Sequence, residues 1–243
     1  MGPEIPATTQ EQIRELKDAL AALVDADMCC RTTRDIETKQ LQQELASLVG
    51  ANALPQPLQY TAENSGQFDE QTYGAGLKVT VRRPAKEPHL AVIEFSFDVE
   101  CGNDSMLLIY EPDPEGWRQS LRWQSGDYAE ISGAFGDFFE YLVIPNATPN
   151  QWVVAVGHGH PWCTSRWSAL DVDVIAPSRG ALPQHVLFHK EDGYVRETNP
   201  VMKATSRGFE LRFEKECIDV GIMTRPGIYR YQVDGDQVHR IQP

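Results

Sequence analysis

Two histidines two residues apart are the clearest indication of chemistry in this 243-residue sequence. His158 and His160 lie in a glycine-flanked stretch directly after the strand-like run Trp152–Val156. In a β-strand, residues at i and i+2 point to the same side, so the two imidazoles would share one face. Neutral imidazoles on one face are a common ligand pair for zinc and related ions. The spacing therefore predicts a site for a divalent transition metal ion.

An internal similarity between two octads of the sequence predicts how further ligands could reach the histidines. The octad Glu94–Cys101 shares its first Glu, its second Phe, its last Glu and its Cys with the octad Glu210–Cys217. The two octads begin 116 residues apart, and half of that offset, 58 residues, leads from Glu94 to Trp152 in the histidine-bearing strand. A fixed period is typical of repeat architectures, so the sequence predicts three tandem β units of about 58 residues.

The same offset places two glutamates and one histidine at equivalent positions. Glu100 and Glu216 match His158, and three units around a central axis would make these side chains converge. Two carboxylates and an imidazole suit a divalent transition metal ion with positions left for water. The alternative interpretation is that both glutamates are solvated charges at strand ends and that the histidines make ordinary hydrogen bonds. Asp171 and Asp173, which share one face of a later strand, are a further carboxylate pair.

A loop after the histidines combines aromatic and cationic side chains. Trp162 and Trp167 flank Arg166 there, and tryptophan together with arginine is typical of binding hot spots. The sequence thus predicts a binding surface made of Trp162, Arg166 and Trp167. The alternative is that the tryptophans fill the core, where large apolar groups are usually found.

Five cysteines are spread through the chain without a CxxC pair, so neither a zinc ribbon nor a thioredoxin site is indicated. Cys163 and Cys217 are predicted to form a disulfide, with Cys101 and Cys30 as the other candidates. The alternative is that the cysteines are reduced and behave as small apolar residues. Cys30 directly follows Cys29, and adjacent cysteines rarely bond each other because the link strains the peptide between them. The number of cysteines favours a periplasmic or extracellular location.

The charge and hydropathy of the chain exclude several classes of partner. A formal net charge of −13 opposes binding to nucleic acid or to an anionic membrane, which needs clusters of Lys and Arg. No apolar run approaches the length of a membrane span, and the first residues do not resemble a signal peptide. Signature motifs of serine hydrolases, P-loop proteins, dinucleotide-binding folds and EF-hands are missing. The sequence therefore predicts neither nucleic-acid binding nor membrane insertion.

Three segments of different character follow one another along the chain. Residues 1–50 carry two amphipathic patterns that predict a helical hairpin, residues 51–76 resemble an irregular linker, and residues 77–243 contain strand after strand. The apolar stripe of the hairpin must cover either the β domain or a partner chain, since helices this short are marginal alone. A homodimer through the hairpin, or through an open edge of the repeat, is one such assembly.

The fold is accordingly predicted to be mainly β behind an N-terminal α-helical hairpin. The β region is expected to be a propeller-like or prism-like array of the three units or, alternatively, a β-sandwich. Asp-Gly dipeptides at 192–193 and 234–235 predict tight turns between its strands.

Two functions are compatible with these features. The first is a non-catalytic binding or structural module of an exported or soluble protein, which acts through loops of the β domain on an unidentified protein or small-molecule ligand. It follows from the repeat pattern and the missing catalytic motifs. The alternative is a metal-dependent hydrolase or oxygenase that uses His158, His160, Glu100 and Glu216. No cofactor is expected for the first function, and a divalent transition metal ion is expected for the second.

Overall fold

A computed structural model divides the chain into two compact units, Met1–Ala134 (the N-terminal unit) and Phe135–Pro243 (the C-terminal unit). The structure describes residues 7–31, 37–51, 58–60, 71–73, 77–99, 102–125, 138–146, 151–161, 166–219 and 223–241. The helices belong to the same unit as the first large sheet, whereas the sequence placed a boundary between them within residues 51–76. A helical hairpin, a linker and one β domain with those boundaries stay a prediction.

The strands of the N-terminal unit form a small ribbon and a four-stranded antiparallel sheet. The ribbon pairs β1 (Leu58–Tyr60) with β2 (Gln71–Tyr73). The strands of the sheet are β3 (Lys78–Arg82), β4 (Ala91–Val99), β5 (Gly102–Asp113) and β6 (Gly116–Gln124). Their order in the sheet is β3-β4-β5-β6, so each strand pairs with the next one along the chain.

Two helices pack against this sheet, α1 (Ala7–Met28) and α2 (Thr38–Ala51). Their apolar residues recur at three- and four-residue spacings, and the structure buries the resulting stripes. The buried residues of the stripes are Ile13, Leu16, Leu20, Val24, Leu41, Leu45 and Val49. Helix α1 contacts β6 and helix α2 contacts β3, so the sheet of the same unit covers the stripes. Among the described residues, no helix is long and apolar enough to cross a membrane.

A buried ion pair fixes α1 on the sheet. The Nζ atom of Lys17 lies 2.6 Å from Oδ1 of Asp104, and neither side chain is more than 1% exposed. Lys17 also donates to the main-chain oxygen of Ser125 at 3.1 Å, and the Ser125 hydroxyl donates to the Asp104 carboxylate. Burial lowers the pKa of the Lys17 amine and raises that of the Asp104 carboxyl. Each charge therefore depends on the other, since solvent does not reach either of them.

The C-terminal unit contains, in its described residues, one eight-stranded antiparallel sheet. The strands are β7 (Phe139–Pro145), β8 (Trp152–Pro161), β9 (Trp167–Ala176), β10 (His185–Val195), β11 (Val201–Ala204), β12 (Gly208–Asp219), β13 (Met223–Asp234) and β14 (Gln237–Ile241). Their order in the sheet is β14-β13-β12-β10-β9-β8-β7, and β11 pairs with β12.

This sheet consists of two halves that meet at one register pair. Tyr194 of β10 faces Glu216 of β12, and no other pair joins these two strands among the described residues. Inward-facing residues of β7–β10 and of β11–β14 form one shared core. For example, the rings of Phe188 on β10 and Tyr231 on β13 lie 5.2 Å apart. Each strand therefore has an inner face toward this core and, by alternation, an outer face.

The structure confirms a mainly β fold with an N-terminal pair of helices, but it does not confirm the three-unit repeat. The two similar octads form parts of strands β4 and β12, and the histidine-bearing stretch between them forms β8. However, β4 belongs to the four-stranded sheet, while β8 and β12 lie in the other sheet with β9 and β10 between them. Strand pairing thus does not follow the 58-residue period, and neither a propeller-like nor a prism-like array is confirmed.

Of the two predicted Asp-Gly turns, one is a turn and the other lies inside a strand. Gly235 has a φ of 61° and closes the hairpin between β13 and β14. Asp192 and Gly193 instead continue β10 in register with β9. Gly193 allows a close approach of β12, because a Cβ atom at this position would lie only 3.1 Å from Cβ of Cys217. As a result, β10 extends as one strand past His189.

Candidate metal centre

Two imidazoles and three carboxylates meet on the outer face of β8, β9 and β10. The register places His158 opposite Asp171, and Asp171 opposite Glu191, which makes one row across the sheet. A second row places Asp173 opposite His189. Directly opposed residues of antiparallel strands have Cβ atoms about 4.5–5.5 Å apart, so neighbouring side chains in a row are within reach of each other. These five residues form the carboxylate–imidazole cluster.

The alternation along β9 and β10 explains why these side chains point outward. Val172 belongs to the core and separates Asp171 from Asp173 along β9. On β10, Phe188 packs against the same core, so the next residue, His189, faces the other way. Apolar-in and polar-out alternation is typical of an antiparallel strand with one buried face. The pattern that builds the core therefore also assembles the cluster.

Three groups of the cluster lie within reach of one ion. One ligand atom each from Asp171, His189 and Glu191 lies within 4.8 Å of the other two. Ligand atoms held by one zinc ion at about 2.0–2.2 Å are roughly 3–4 Å apart, so a contraction of at most about 1–2 Å is needed. Rotation of the Glu191 side chain, which is 78% exposed, can supply it. His158 adds a second imidazole, with its Nε2 atom 3.6 Å from Oδ2 of Asp171.

His189 contacts a carboxylate through each of its ring nitrogens. Its Nδ1 atom lies 2.8 Å from Oδ1 of Asp173, and its Nε2 atom lies 3.5 Å from Oε1 of Glu191. A carboxylate bonded to one ring nitrogen keeps the proton there and leaves the lone pair of the other nitrogen for a metal ion. Asp173 is therefore a candidate positioning residue, and Nε2 of His189 is the candidate ligand atom.

The acidic neighbours of His189 also hold a proton on its ring. The hydrogen bond with Asp173 raises the pKa of His189 above its ordinary value, and Glu191 and Asp171 add to this effect. A doubly protonated ring cannot bind a metal ion, so metal affinity should fall as the pH drops through the raised pKa. In the metal-free protein, the protonated pair stabilises the fold at low pH, and this contribution is lost as the pH rises through the raised pKa.

Replacing Asp173 with asparagine should separate the two roles of this carboxylate. The pKa of His189 should fall toward its ordinary value, because the group that chiefly raises it is gone. At a pH above the pKa that His189 has in the original protein and in the variant, protonation no longer matters. The affinity for Zn²⁺ should still fall there by about 10- to 100-fold, as is typical when an outer-shell partner of a metal ligand is lost. NMR of the histidine ring against pH, with and without Zn²⁺, measures both quantities. An unchanged pKa would show that Asp173 does not act on His189.

The other predicted ligands lie outside the described residues or elsewhere in the unit. Glu100 and the side chain of His160 are outside the described part of the chain. Glu216 is buried, where it accepts a hydrogen bond from the Tyr229 hydroxyl and lies 3.5 Å from Nε of Arg225. A buried carboxylate with a partner on each oxygen is accounted for by its structural contacts.

The structure does not bring His158 and Glu216 together as the 58-residue offset predicts. Because β9 and β10 lie between them, their strands are three spacings of about 4.8 Å apart, which amounts to about 14 Å. They also lie on opposite faces, because Glu216 is paired with the core residue Tyr194 whereas His158 is paired with the outward-facing Asp171.

The structure describes two of the three residues of the predicted Trp–Arg surface. Trp162 lies outside the described residues, and Arg166 is exposed with its Nε atom 3.8 Å from Oε2 of Glu197. Trp167 is half-buried at the start of β9, on the same outer face as the cluster. The remaining tryptophans of the chain, Trp117, Trp123 and Trp152, are buried.

The described cysteines are free thiols, namely Cys29, Cys30 and Cys217. Cys101 and Cys163 lie outside the described residues. A disulfide at Cys30 or Cys217 is therefore not confirmed. Cys217 is partly buried on β12, and this burial raises the pKa of its thiol.

Sequence patterns did not single out His189 and Glu191, although a signal for them exists. The two residues stand at i and i+2 of a strand, which is also the spacing of His158 and His160. A turn assigned to residues 192–193 hides this signal, because the predicted strand then ends at His189.

The composition of the cluster is compatible with a metal centre of mixed ligands. Its three carboxylates attract a cation, and imidazole combined with carboxylate is a ligand set of Zn²⁺, Mn²⁺ and Fe²⁺ sites. Comparison with protein-family models, with curated proteins and with solved structures finds no match to this chain.

Proposed function

We propose that the C-terminal unit is a binding module that takes up one divalent transition metal ion at the carboxylate–imidazole cluster. Asp171, His189 and Glu191 are the direct ligands, and His158 lies beside them as a further imidazole. The observation that carries the proposal is the double contact of His189, which meets Asp173 through one ring nitrogen and Glu191 through the other. Mg²⁺ and Ca²⁺ are less suited, because they prefer oxygen ligands alone.

The exposure of two of the proposed ligands favours a binding role for the ion. The side chains of His189 and Glu191 are 49% and 78% exposed, so an ion can enter from solvent. Three protein ligands leave coordination positions for water or for an oxygen atom of a partner molecule. A bound ion would therefore give this outer face an attachment point for an anionic group.

Elemental analysis of dialysed protein after incubation with Zn²⁺, Mn²⁺ or Fe²⁺ tests this function. One equivalent of metal per chain supports it, and no retained metal after reconstitution contradicts it. The alternative function, a metal-dependent hydrolase or oxygenase, needs the same ion. Ion-dependent hydrolysis of a p-nitrophenyl ester would favour the hydrolase over the binding module.

The Trp–Arg loop is a second candidate binding surface. The position of Trp167 favours this role. Trp167 lies on the same face as Asp171, four residues away and about 13 Å along the strand. If Trp167 serves binding, Trp167→Ala should lower the free energy of unfolding far less than Trp152→Ala. The latter removes a side chain that is only 1% exposed, which should cost about 3–5 kcal/mol. Urea unfolding compares the two, and equal losses would assign Trp167 to the core.

A further inference from the structure

We infer that Cys29 and Cys30 form a dithiol site that chelates a trivalent thiophilic centre of the arsenic(III) type. The site lies in the N-terminal unit and does not depend on the proposed metal centre. Both thiols are exposed at the turn that follows α1, and their Sγ atoms lie 3.4 Å apart. Two adjacent thiols that already touch can bind one soft atom without a rearrangement of the main chain.

Hydrogen bonds and ion pairs fix the turn on both sides of the dithiol. The N–H of Cys29 donates to the main-chain oxygen of Asp25 at 3.0 Å, which continues the hydrogen-bond pattern of α1. Directly after the dithiol, the guanidinium of Arg31 binds Asp27 and Glu44, each at 2.6 Å. The last of these contacts links the end of α1 to α2. The two sulfurs are therefore presented by an anchored segment of chain.

A glycine in the turn between β5 and β6 also holds the Cys29 backbone in place. Gly116 packs so closely that a Cβ atom at its position would clash with the carbonyl oxygen of Cys29. The main chain of the dithiol is thus fixed before any ligand arrives. Such preorganisation raises affinity, because less conformational entropy is lost on binding.

The distance between the sulfurs suits the chelation of one ion by both thiols. Two sulfurs 3.4 Å apart and each about 2.3 Å from one ion subtend an angle of about 95° at that ion. A tetrahedral Zn²⁺ site has an angle of about 109°, which would place the sulfurs about 3.8 Å apart. A trivalent arsenic centre is pyramidal, with bond angles close to a right angle. The separation of the sulfurs therefore suits an arsenic(III) centre.

Condensation of the pair with an arsenic(III) oxide releases both thiol protons. The hydrogen bond with Cys30 raises the pKa of the Cys29 thiol, and the carboxylates of Asp25 and Asp27 add to this effect. When R–As=O reacts with two thiols, two As–S bonds form, the As=O bond breaks, and the oxygen leaves as water with both thiol protons. Arsenic and sulfur keep their oxidation states, so no oxidant is required. A thiol that keeps its proton is also a poor nucleophile for disulfide exchange, which helps the pair stay reduced.

Phenylarsine oxide tests the site in protein that carries Cys101→Ser, Cys163→Ser and Cys217→Ser, so that only Cys29 and Cys30 remain. Intact-mass spectrometry of the reduced protein should show one phenylarsenic group per chain. The adduct should survive an excess of 2-mercaptoethanol and be released by the dithiol 2,3-dimercaptopropanol.

Two controls separate a preorganised dithiol from two unrelated thiols. Adding Cys29→Ser or Cys30→Ser should weaken retention of the adduct on the order of a hundredfold or more, because a second linked contact typically strengthens binding by about 10²–10⁴-fold. Unfolding in urea should weaken retention as well, because the turn no longer holds the sulfurs together. Equal retention by the single-thiol variants or by the unfolded chain would overturn the inference, as would the absence of an adduct on the native pair.

Discussion

Replacing Lys17 with methionine should lower the free energy of unfolding by about 3–5 kcal/mol. The substitution keeps the length of the side chain but leaves the Asp104 carboxylate buried without an opposite charge. Oδ2 of Asp104 is already buried without a hydrogen-bond partner, and the hydrogen bond from the Ser125 hydroxyl does not replace the lost charge. Removing one member of a buried ion pair is far more costly than removing both. The double variant Lys17→Met/Asp104→Leu should therefore recover most of the lost stability.

Urea unfolding measures this loss, and hydrogen exchange locates it. Peptides from α1 and β5 should lose protection in Lys17→Met, because the pair joins these two elements. Lys39→Met, at an exposed position of α2, is the matched control and should change the free energy of unfolding by no more than about 0.5 kcal/mol. A Lys17→Met variant as stable as this control would show that the ion pair does not hold α1 on the sheet.

Replacing His189 with alanine should lower the affinity for Zn²⁺ by more than about a hundredfold, since even the loss of an outer-shell partner costs about 10–100-fold. His189 supplies a ligand atom itself, so its removal should exceed that range. Its side chain is 49% exposed, and the substitution should therefore leave the fold intact. Isothermal titration with Zn²⁺ measures the affinity, and circular dichroism checks the fold.

His239→Ala is the matched control for this variant. His239 is an exposed histidine on β14, outside the carboxylate–imidazole cluster. Co²⁺ gives an independent measurement, because its visible absorption depends on the ligands around the ion. The spectrum should change in His189→Ala and stay the same in His239→Ala. Equal Zn²⁺ affinities in the two variants would remove His189 from the ligand set and contradict the proposed function.

Features that depend on neighbouring residues in the chain could be predicted from the sequence. Leu20 and Leu45 recur at helical spacing with other apolar residues, and the structure buries both. Alternation also predicted that His158 lies in a strand and that Asp171 and Asp173 share a face. The structure brings these local patterns together, with 3.6 Å between the His158 imidazole and the Asp171 carboxylate.

Features that depend on strand pairing could not be predicted in this way. The 58-residue offset matches Glu216 to His158 in the sequence. However, the face of each residue and the order of the strands are set by pairing between strands that are distant in the chain. A bulge in the pairing of β12 with β13, directly before Glu216, shifts the register there. A sequence period contains no information about such a shift.

The sequence did not single out two proposed ligands or the buried ion pair, because both depend on contacts between residues distant in the chain. His189 and Glu191 share a face because β10 continues through Gly193, where the close approach of Cys217 on β12 leaves little room for a side chain. Turn chemistry alone favours the opposite assignment for an Asp-Gly dipeptide. Lys17 likewise lies on the buried side of α1, and only the position of β5 shows that Asp104 neutralises it.

Anomalous diffraction from crystals grown with Zn²⁺ would test the proposed metal centre most directly. We expect one peak in the C-terminal unit, about 2.0–2.2 Å from Nε2 of His189 and from carboxylate oxygens of Asp171 and Glu191. Zinc bound elsewhere on the chain, with no peak among these three residues, would contradict the metal-binding function.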